Sequence, residues 1–521
     1  MSREHRSFLL SQDGNLSLSC AEKQTFPGRG CCWASATLKG SRLAKWCPGF
    51  IIIIIALALV PLLPRISLAA RPHVVWVVVD SLRWDHVDVY EPSAHLTPSL
   101  LQRAQSATVF WQAYAPSSWT VPSVASLFSA KYPSLHGATR FGAAPTFDDN
   151  SAALAFARSG YRTLAISANA FVARSSIFST GFATFVDTKD LLGPDRKGKV
   201  RAEEALRVLD QWLSEHQHGD SSPLFLYLHL MDPHWPYGPK DEFFSQVLPR
   251  YGEPERLRKL TGELYFGQLR LDGNVPPEAR NAVRALYAGE VLATDRALAD
   301  LFDVLERHGI AKHMLLIITA DHGEELFDHD HIGHGRTLYE EVVRVPLLTW
   351  FPGQKQRVDV HTPVSLIDIL PTSLEVAGVQ RPRASLKFNA ISLAGCAPAS
   401  SWLSRIRKWI ARERCGEPHR AVFAELLPLR AAPAAAPKHR AAVVQGRYKL
   451  LIALDRTIAA FGLGNTLQEV DGTVVPAERL EELKSAWTAF QEQLAAAPRA
   501  VPIVTPDAAT REQLRALGYG D

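Results

Sequence analysis

Two apolar, strand-length runs that each end in an acidic residue are the most chemically informative feature of the sequence. Residues 315–320 lead directly into Asp321 and His322, and residues 74–79 lead into Asp80. Because a buried parallel strand delivers the residues that follow it to one edge of the sheet, we expect these side chains to lie close together. Two carboxylates and an imidazole are ligands for a divalent metal ion. The pattern therefore predicts a metal site between two strand ends.

A threonine between these runs is a candidate nucleophile. Thr120 comes two residues before Pro122, which suits the first turn of a helix, so we expect Thr120 at the helix N-terminus. The free amide groups and the dipole at that end favour an anion. A hydroxyl that contacts a divalent cation there ionises more readily and can act as a nucleophile. Threonine is also a good helix N-cap, and taken alone this residue favours the cap.

Histidines in two loops are candidates for contact with a charged substrate. His234 follows the apolar run 223–230, and His334 stands between two glycines, which let a backbone approach a ligand closely. Imidazole can bind a negatively charged ester oxygen or protonate a leaving group. His329 and His331 alternate with acidic residues in the same glycine-bearing loop, and a solvated surface loop is the favoured interpretation for both.

Runs typical of strands and of helices alternate from about residue 71, which predicts an α/β fold with a largely parallel sheet. The expected strands are 74–80, 162–167, 223–230, 314–320 and 345–350. The expected helices are 97–105, 122–130, 149–159, 200–216, 277–308 and 363–377.

The composition changes after residue 379. Residues 380–440 are rich in Ala, Pro and Arg, and residues 431–437 are typical of a linker. Residues 442–452 predict a β-hairpin, and residues 476–495 predict a polar helix. We therefore divide the chain into an N-terminal tail (1–70), a catalytic domain (71–380) and a C-terminal subdomain (381–521).

The composition itself is that of an ordinary globular protein. Of the 521 residues, 47% are hydrophobic and 21% are charged, with a formal net charge of +4. That length suffices for one large domain or two. No dense basic block or basic-aromatic platform occurs, so we expect no nucleic-acid partner. The sequence leaves the oligomeric state open.

An apolar run near the N-terminus predicts export from the cytoplasm. Residues 49–63 are uncharged and almost wholly apolar, with basic residues before them. Their length suits a signal peptide or a membrane anchor, and the preceding positive charge places the remainder of the chain on the extracytoplasmic side. We therefore expect membrane association through this segment, or secretion. A buried core element is the alternative interpretation.

Two of the six cysteines lie in the C-terminal third of the chain. Cys396 and Cys415 can form a disulfide in an oxidising compartment. Two unrelated buried thiols are an equally good interpretation, because sequence alone does not fix pairing.

A series of segments in matching order resembles the sulfatase-like branch of the alkaline phosphatase superfamily. They are residues 80–86, 97–100, 115–123, 229–237, 321–324, 338–347, 364–372 and 513–519. The resemblance implies an alkaline-phosphatase-like three-layer sandwich with a central, mostly parallel sheet, and a smaller C-terminal subdomain with an antiparallel sheet.

The resemblance also implies a role for each candidate site residue. Asp80, Thr120, Asp321 and His322 match the family's ligands for one divalent metal ion, and Thr120 matches its nucleophile. His234 and His334 match residues that face the charged oxygens of the substrate or the leaving group. The implied substrate is a small-molecule, lipid-linked or glycan-linked ester.

Departures from the sulfatase pattern at the metal favour the threonine-nucleophile branch of the superfamily, which resembles phosphate and phosphonate ester hydrolases and phosphoethanolamine transferases. Sulfatases convert a cysteine or serine to formylglycine and carry an arginine four residues later, whereas this chain has Thr120 and Val124 there. Ser81 stands where many sulfatases have a further calcium-binding acid, and His322 stands where they usually have asparagine. Imidazole in place of an oxygen ligand favours zinc or manganese over calcium.

Three hypotheses for the function follow. The first is a hydrolase or transferase that acts on phosphate or phosphonate esters through a metal-activated Thr120. The second is a sulfuric ester hydrolase. The third is a membrane-tethered binding protein that has kept the fold without turnover, which the missing arginine at Val124 motivates. The acidic residues expected at the metal argue against this third hypothesis, because buried charges without a function are costly.

Overall fold

The computed structural model describes residues 71–495 apart from several gaps. The gaps are residues 140–144, 146, 148–150, 194–197, 217–221, 266–274, 381–389, 399–418, 427–438, 454–457, 465–468 and 471–473. All described residues belong to one compact unit, Ala70–Asp521. None of the described helices is long and apolar enough to span a bilayer, and the run 49–63 lies outside the described residues.

The described strands build one large sheet and three small ones. In chain order they are β1 (His73–Val79), β2 (Thr108–Phe110), β3 (Ala113–Tyr114), β4 (Arg162–Ser167), β5 (Thr184–Val186), β6 (Leu224–Leu230), β7 (Met314–Thr319), β8 (Glu325–Leu326), β9 (Ile332–Gly333), β10 (Arg344–Val345), β11 (Leu347–Trp350), β12 (Val358–Val360), β13 (Val364–Ser365), β14 (Ala421–Glu425), β15 (His439–Gln445), β16 (Tyr448–Ala453), β17 (Ile458–Leu463) and β18 (Glu469–Val470). The large sheet has the order β12-β2-β11-β7-β1-β6-β4-β5.

The large sheet is mostly parallel, as predicted. Strands β7, β1, β6, β4 and β5 are parallel neighbours, and β11 runs antiparallel to β7. Strand β1 is almost completely buried along its length. That burial explains its unbroken Val-Val-Trp-Val-Val-Val sequence, because a strand covered on both faces has no polar side. The expected strands at 74–80, 162–167, 223–230 and 314–320 are confirmed within a residue of their ends.

Helices cover the large sheet as two separately packed groups, giving the predicted three-layer architecture. In chain order they are α1 (Pro98–Arg103), α2 (Thr120–Ser129), α3 (Pro133–His136), α4 (Ala152–Arg158), α5 (Thr188–Leu192), α6 (Ala202–Glu215), α7 (Asp241–Val247), α8 (Pro254–Tyr265), α9 (Pro277–Arg307), α10 (Glu340–Val343), α11 (Ile369–Val376) and α12 (Ala477–Ala495). The long helix α9 packs against α1, α6, α7 and α8, and α2 packs near α3, α4 and α11.

A buried aromatic cluster fixes α2 on the sheet. The ring of Trp76 on β1 packs edge-on against Phe128 of α2, at 5.9 Å between centroids, and against Phe225 of β6 at 5.1 Å. The Trp76 indole nitrogen donates a 2.8 Å hydrogen bond to Ser373 of α11. Edge-to-face pairs of this kind add to the stabilisation from burial. The cluster therefore sets the position of the helix that begins at Thr120.

Two expected elements differ from the structure. The expected helix 363–377 begins with strand β13 and a single 3-10 turn, Leu366–Asp368, and becomes α-helical only at Ile369. The expected strand 345–350 is interrupted at Pro346, which separates β10 from β11. Proline has no amide hydrogen for a ladder, so the chain changes from the three-stranded sheet to the large sheet at that residue.

The C-terminal region forms the predicted small antiparallel sheet, in the order β14-β15-β16-β17-β18. The hairpin expected at 442–452 is confirmed as β15 and β16, and the polar helix expected at 476–495 is confirmed as α12. Cys396 is disulfide-bonded, whereas Cys415 and the linker 431–437 lie outside the described residues. The domain boundary at 380/381 stays a prediction.

Buried ion pairs join the small sheet to the rest of the unit. Arg420, next to β14, makes bonds of 2.6 and 2.8 Å to the carboxylate of Asp368, and both side chains are almost fully buried. Lys449 of β16 pairs at 2.9 Å with Glu340 of α10, again out of solvent. Because buried charges are tolerated only when paired, these contacts fix how the small sheet docks.

We predict that Arg420→Met lowers the free energy of unfolding by about 3–5 kcal/mol, because it leaves the Asp368 carboxylate buried without its charged partner. Denaturant unfolding followed by tryptophan fluorescence measures the change. Adding Asp368→Leu to the same protein should restore part of the loss. As a control, Arg479→Met breaks a partly exposed pair with Glu482 and should cost under about 1 kcal/mol. Equal losses from both single variants would contradict this assignment.

Candidate active site

Four neighbouring parallel strands deliver polar side chains to one edge of the large sheet. Asp80 follows β1, Asp321 follows β7, His229 lies near the end of β6, and Asn169 follows β4. The order β7-β1-β6-β4 makes these strand ends adjacent. Ligand sites in open α/β sheets lie at this carboxyl edge. The predicted meeting of Asp80 with Asp321 is therefore a direct result of strand order.

Asp80 is the centre of the cluster. Its Oδ2 accepts a 2.7 Å hydrogen bond from the Asn169 side chain, and its Oδ1 accepts one of 2.9 Å from Ser81. His229 Nε2 lies 3.3 Å from Oδ2, and His322 Nε2 lies 3.6 Å from Oδ1. Ser81 adopts φ +61°, a left-handed conformation uncommon for a residue other than glycine, which is typical of functional sites. These contacts fix the orientation of the Asp80 carboxylate.

Thr120 lies at the N-terminus of α2, as the sequence predicts. Its hydroxyl oxygen is 3.4 Å from both Asp80 Oδ2 and His322 Nε2. The N-cap residue is Trp119, so the cap interpretation of Thr120 is wrong. Three residues further into the helix, Ser123 donates a 2.6 Å hydrogen bond to the Asp321 carbonyl and ties α2 to the end of β7. The threonine hydroxyl therefore points into the acidic cluster, not at the helix backbone.

The imidazole of His322 is oriented for ligation through Nε2. Its Nδ1 is 2.9 Å from the carbonyl of Gly323, and a carbonyl only accepts, so Nδ1 carries the hydrogen. In the neutral ring Nε2 is then a lone-pair donor. Nε2 lies 3.5 Å from Asp321 Oδ2 and near Asp80 and Thr120. A backbone contact that fixes the tautomer in this way is typical of metal-binding histidines.

A close backbone contact explains the glycine that follows. The Gly323 amide donates a 2.7 Å hydrogen bond to the carbonyl of Val342 at α10. A β-carbon at residue 323 would lie 2.0 Å from the Glu341 carbonyl oxygen, so only glycine fits. The contact holds the segment that carries Asp321 and His322 against α10.

The electrostatics of the site fit a divalent cation. Burial and the negative charge of Asp80 raise the pKa of Asp321. Burial opposes ionisation of Asp80 too, but His234, His229 and His322 hold its pKa well below the usual range. Asp321 Oδ2 and His229 Nε2 are buried without a hydrogen-bond partner. Unsatisfied buried ligand atoms of this type are what a bound metal ion would satisfy.

The ligand atoms of Asp80, His229 and Asp321 all lie within 4.8 Å of one another. His322 and Thr120 face the same point, and the residues present therefore fit a metal ion held mainly by oxygen and imidazole ligands. Ser81, which stands at an expected acid position, binds Asp80 instead. Val124, which stands at the expected arginine position, is packed into the core.

His334 forms a carboxylate–imidazole pair beside the cluster. Its Nδ1 is 2.8 Å from Glu324 Oε1, and the other Glu324 oxygen accepts a 2.9 Å hydrogen bond from Tyr237. The His334 ring lies 4.3 Å from that of His322, centroid to centroid. Burial lowers the pKa of His334, but the Glu324 carboxylate outweighs it, so the pKa rises above its usual value. This pairing suits a proton donor.

His234 lies in the same region, on the loop after β6, and Lys199 contacts the backbone of that loop. Its ring lies 5.1 Å from that of His334, and burial lowers its pKa to about 4. The buried ammonium of Lys199 donates to the carbonyls of Asp232 and His234 at 2.6 and 2.9 Å and pairs with Glu290 at 2.8 Å. The Lys199–Glu290 pair is therefore one of the contacts that hold the loop after β6. All six predicted site residues come together in one cluster, in which His334 alone of the six is partly exposed.

Sequence reasoning missed three contributors to this cluster. His229 lies inside an apolar strand, where a histidine is indistinguishable from a core residue. Asn169 follows a strand without an adjacent acid to draw attention to it. Glu324 was part of the recognised acidic segment, but its pairing with His334 joins positions ten residues apart across a turn. The end of strand 162–167 at the same sheet edge was the available signal for Asn169.

Comparison with known proteins decides the family. The Sulfatase family profile matches residues 72–379, more than half of the chain. The chain belongs to the sulfatase family. The match covers Asp80, Thr120, Asp321 and His322 together.

Relatives of this sulfatase-family chain include arylsulfatase K proteins. Arylsulfatase K of Mus musculus is 32% identical over 133 residues, which is 25% of this chain and 24% of the relative. The chain thus spans about a quarter of that relative in the alignment. Arylsulfatase K of Homo sapiens is 24% identical over 384 residues, 66% of this chain and 70% of the relative.

Solved structures share the fold. A phosphonate monoester hydrolase from Silicibacter pomeroyi has a TM-score of 0.59 at 20% identity, covering 82% of this chain and 96% of that one. A structure in complex with its substrate D-glucosamine-2-N,6-O-disulfate has a TM-score of 0.61 at 16% identity, covering 82% and 98%. Identities this low show a common architecture alone.

We predict that Asp321→Asn binds one equivalent of divalent metal fewer than the wild-type protein, because the amide removes a charged ligand beside Asp80. Metal content after gel filtration in zinc or manganese measures the loss. Asp330→Asn is a matched control, since that carboxylate is 81% exposed and pairs with Arg280. Unchanged metal content in Asp321→Asn would contradict the assigned ligand set.

Proposed function

We propose that this sulfatase-family protein is an enzyme that cleaves phosphate or phosphonate esters with Thr120 as its nucleophile. The observation that supports the proposal is the Thr120 hydroxyl, 3.4 Å from Asp80 Oδ2 and from His322 Nε2. Threonine cannot become formylglycine, because its β-carbon bears a methyl group where the aldehyde needs a hydrogen. The attacking oxygen is then the threonine's own, as in covalent phosphoryl transfer.

We also propose that Asp80, Asp321 and His322 hold one divalent metal ion with Thr120, and that zinc or manganese is preferred over calcium because of the imidazole ligand. When bound, such an ion supplies Lewis-acid stabilisation of the ester oxygens and favours ionisation of the threonine hydroxyl. His229, whose Nε2 faces Asp80, is a further ligand candidate.

The side chains divide the reaction between them. Thr120 Oγ1 passes its hydroxyl hydrogen to Asp80 Oδ2 and forms the new bond to phosphorus, while the bond to the leaving oxygen breaks. His334, oriented by Glu324, donates its proton to that oxygen. In the second half, water or another hydroxyl attacks the threonine ester and neutral His334 takes up the attacking group's proton. Thr120 then leaves and recovers its hydrogen from Asp80 Oδ2. His234 contacts the charged oxygens of the substrate.

Sulfate ester hydrolysis is the second candidate function. It is supported by the sequence similarity to arylsulfatase K of mouse and human, which favours sulfate over phosphate. The geometry of the site does not discriminate between phosphate and sulfate esters, because both substrates carry a tetrahedral anionic group. For either function we propose a small-molecule, lipid-linked or glycan-linked ester as the substrate.

We propose an extracytoplasmic location for the enzyme. Two features support it: the disulfide at Cys396, which persists in oxidising compartments, and the apolar run 49–63 with its preceding basic residues. Fractionation of cells that produce the full chain tests the location, and activity confined to the cytosol would contradict it.

We predict that Thr120→Ala lowers kcat/KM by about a thousandfold or more, because it removes the nucleophile. Thr120→Ser keeps a hydroxyl and should retain much more activity. The assay uses aryl phosphate, phosphate diester, phosphonate monoester and aryl sulfate substrates, with the wild-type preference deciding between phosphorus and sulfur. Full turnover by Thr120→Ala on every substrate that the wild type cleaves would exclude the nucleophile assignment.

We predict different dependence on the leaving group for the two histidine variants. His334→Gln should lose about a hundredfold or more in kcat on alkyl esters, whose leaving oxygens need a proton, and much less on 4-nitrophenyl esters. His234→Gln should instead raise KM similarly for both kinds of ester. Rates across a series of leaving groups measure this. An equal loss in His334→Gln along the whole series would show that His334 is not the acid.

A further inference from the structure

A second group of metal-type side chains lies outside the active site. Glu325 of β8, His329 of the following turn and Glu341 of α10 place their ligand atoms within 4.8 Å of one another. Ligand atoms bound to one zinc ion lie roughly 3 to 3.5 Å apart, given bonds of about 2.0–2.2 Å. Zinc binding would therefore draw the most distant of these atoms together by about 1 to 2 Å.

Glu325 carries an unsatisfied atom into this cluster. Its side chain is 1% exposed, and its Oε2 has no hydrogen-bond partner, whereas Oε1 accepts from the Thr337 hydroxyl. Burial and the charge of Glu341 raise the pKa of Glu325 to about 7. A buried carboxylate beside a second carboxylate is costly unless a proton or a cation neutralises the charge, and a zinc ion supplies that neutralisation.

The imidazole of His329 is fixed toward the same point. Its Nδ1 lies 2.7 Å from Glu341 Oε1, and its ring stacks on Tyr339 at 3.5 Å with an interplanar angle of 11°. Phe327 and Asp330, with φ of +68° and +61°, form the tight turn that carries it. The His329 side chain is 34% exposed, so solvent can supply a remaining ligand.

This cluster is separate from the active site. Glu324 and Glu325 are chain neighbours with different partners, since Glu324 binds His334 and Tyr237 and Glu325 binds Thr337. The other acids of the turn have their own partners. Asp328 pairs with the buried Arg83, and Asp330 pairs with Arg280.

We propose that Glu325, His329 and Glu341 form a second, structural zinc site. Two carboxylates and one imidazole, with a water molecule as fourth ligand, are a zinc-type set and too few oxygens for calcium. The ion ties β8, the turn 327–331 and α10 together. That segment leads directly to His334, so the site stiffens one wall of the active site without contacting the substrate.

Zinc counting on the full chain tests this proposal. The protein is stripped with a chelator, loaded with Zn²⁺, passed through a desalting column and analysed for metal. We expect two equivalents in the wild type, and one in Glu325→Gln and in His329→Gln. His331→Gln, the same substitution two residues away, should keep two. Asp321→Asn should keep one, and Asp321→Asn with Glu325→Gln should keep none.

This experiment distinguishes the proposal of the second zinc site from the proposal of the active-site metal. Two results would overturn the second site and leave the active-site metal intact. One is a wild-type protein with a single zinc equivalent that disappears in Asp321→Asn. The other is a wild-type zinc content in both Glu325→Gln and His329→Gln. Circular dichroism reports folding of each variant. If Glu325→Gln does not fold, the partly exposed His329 supplies the deciding variant. In the Asp321→Asn background, Zn²⁺ should raise the melting temperature, and adding His329→Gln should abolish that shift.

Discussion

The structure depends on the burial of two carboxylates side by side. Asp80 and Asp321 follow neighbouring parallel strands and are both almost completely excluded from water. Two negative charges so close in a poorly polarisable environment repel each other strongly, and the fold tolerates them only with donors and cations around them. Asn169, Ser81 and the surrounding histidines supply part of that compensation. The negative charge that remains uncompensated makes this edge of the sheet suitable for a metal ion and an activated hydroxyl.

The fold and most of the site could be predicted because the relevant signals are local in sequence. A buried strand is a continuous apolar run, and the acid that ends it must appear at the sheet edge. Asp80, Asp321 and His322 are all of this type. Thr120 was predictable for a similar reason, since Pro122 marks the start of a helix. The order of these segments carried the family resemblance, which the match over residues 72–379 confirms.

The remainder depends on contacts between distant parts of the chain. A histidine within an apolar strand, such as His229, reads as core until the neighbouring strand ends are known. The pairing of His334 with Glu324 follows from a turn whose geometry the sequence does not specify. The late start of helix α11 has the same origin, because residues 364–365 complete a small sheet with β3 before the helix can begin. Tertiary hydrogen bonding overrides local helical periodicity there.

The contact that requires Gly323 also gives the two acidic clusters a common backbone. The amides of Gly323 and Glu324 donate to the carbonyls of Val342 and Glu341, so a ligand of one cluster shares a peptide ladder with a ligand of the other. Displacement of α10 would be transmitted directly to His322. If an ion at one cluster changes the affinity of the other cluster for its ion, thermodynamic linkage requires the second ion to change the affinity of the first cluster by the same factor. Because only glycine fits at residue 323, any other side chain there would disturb the backbone contact that joins the two clusters.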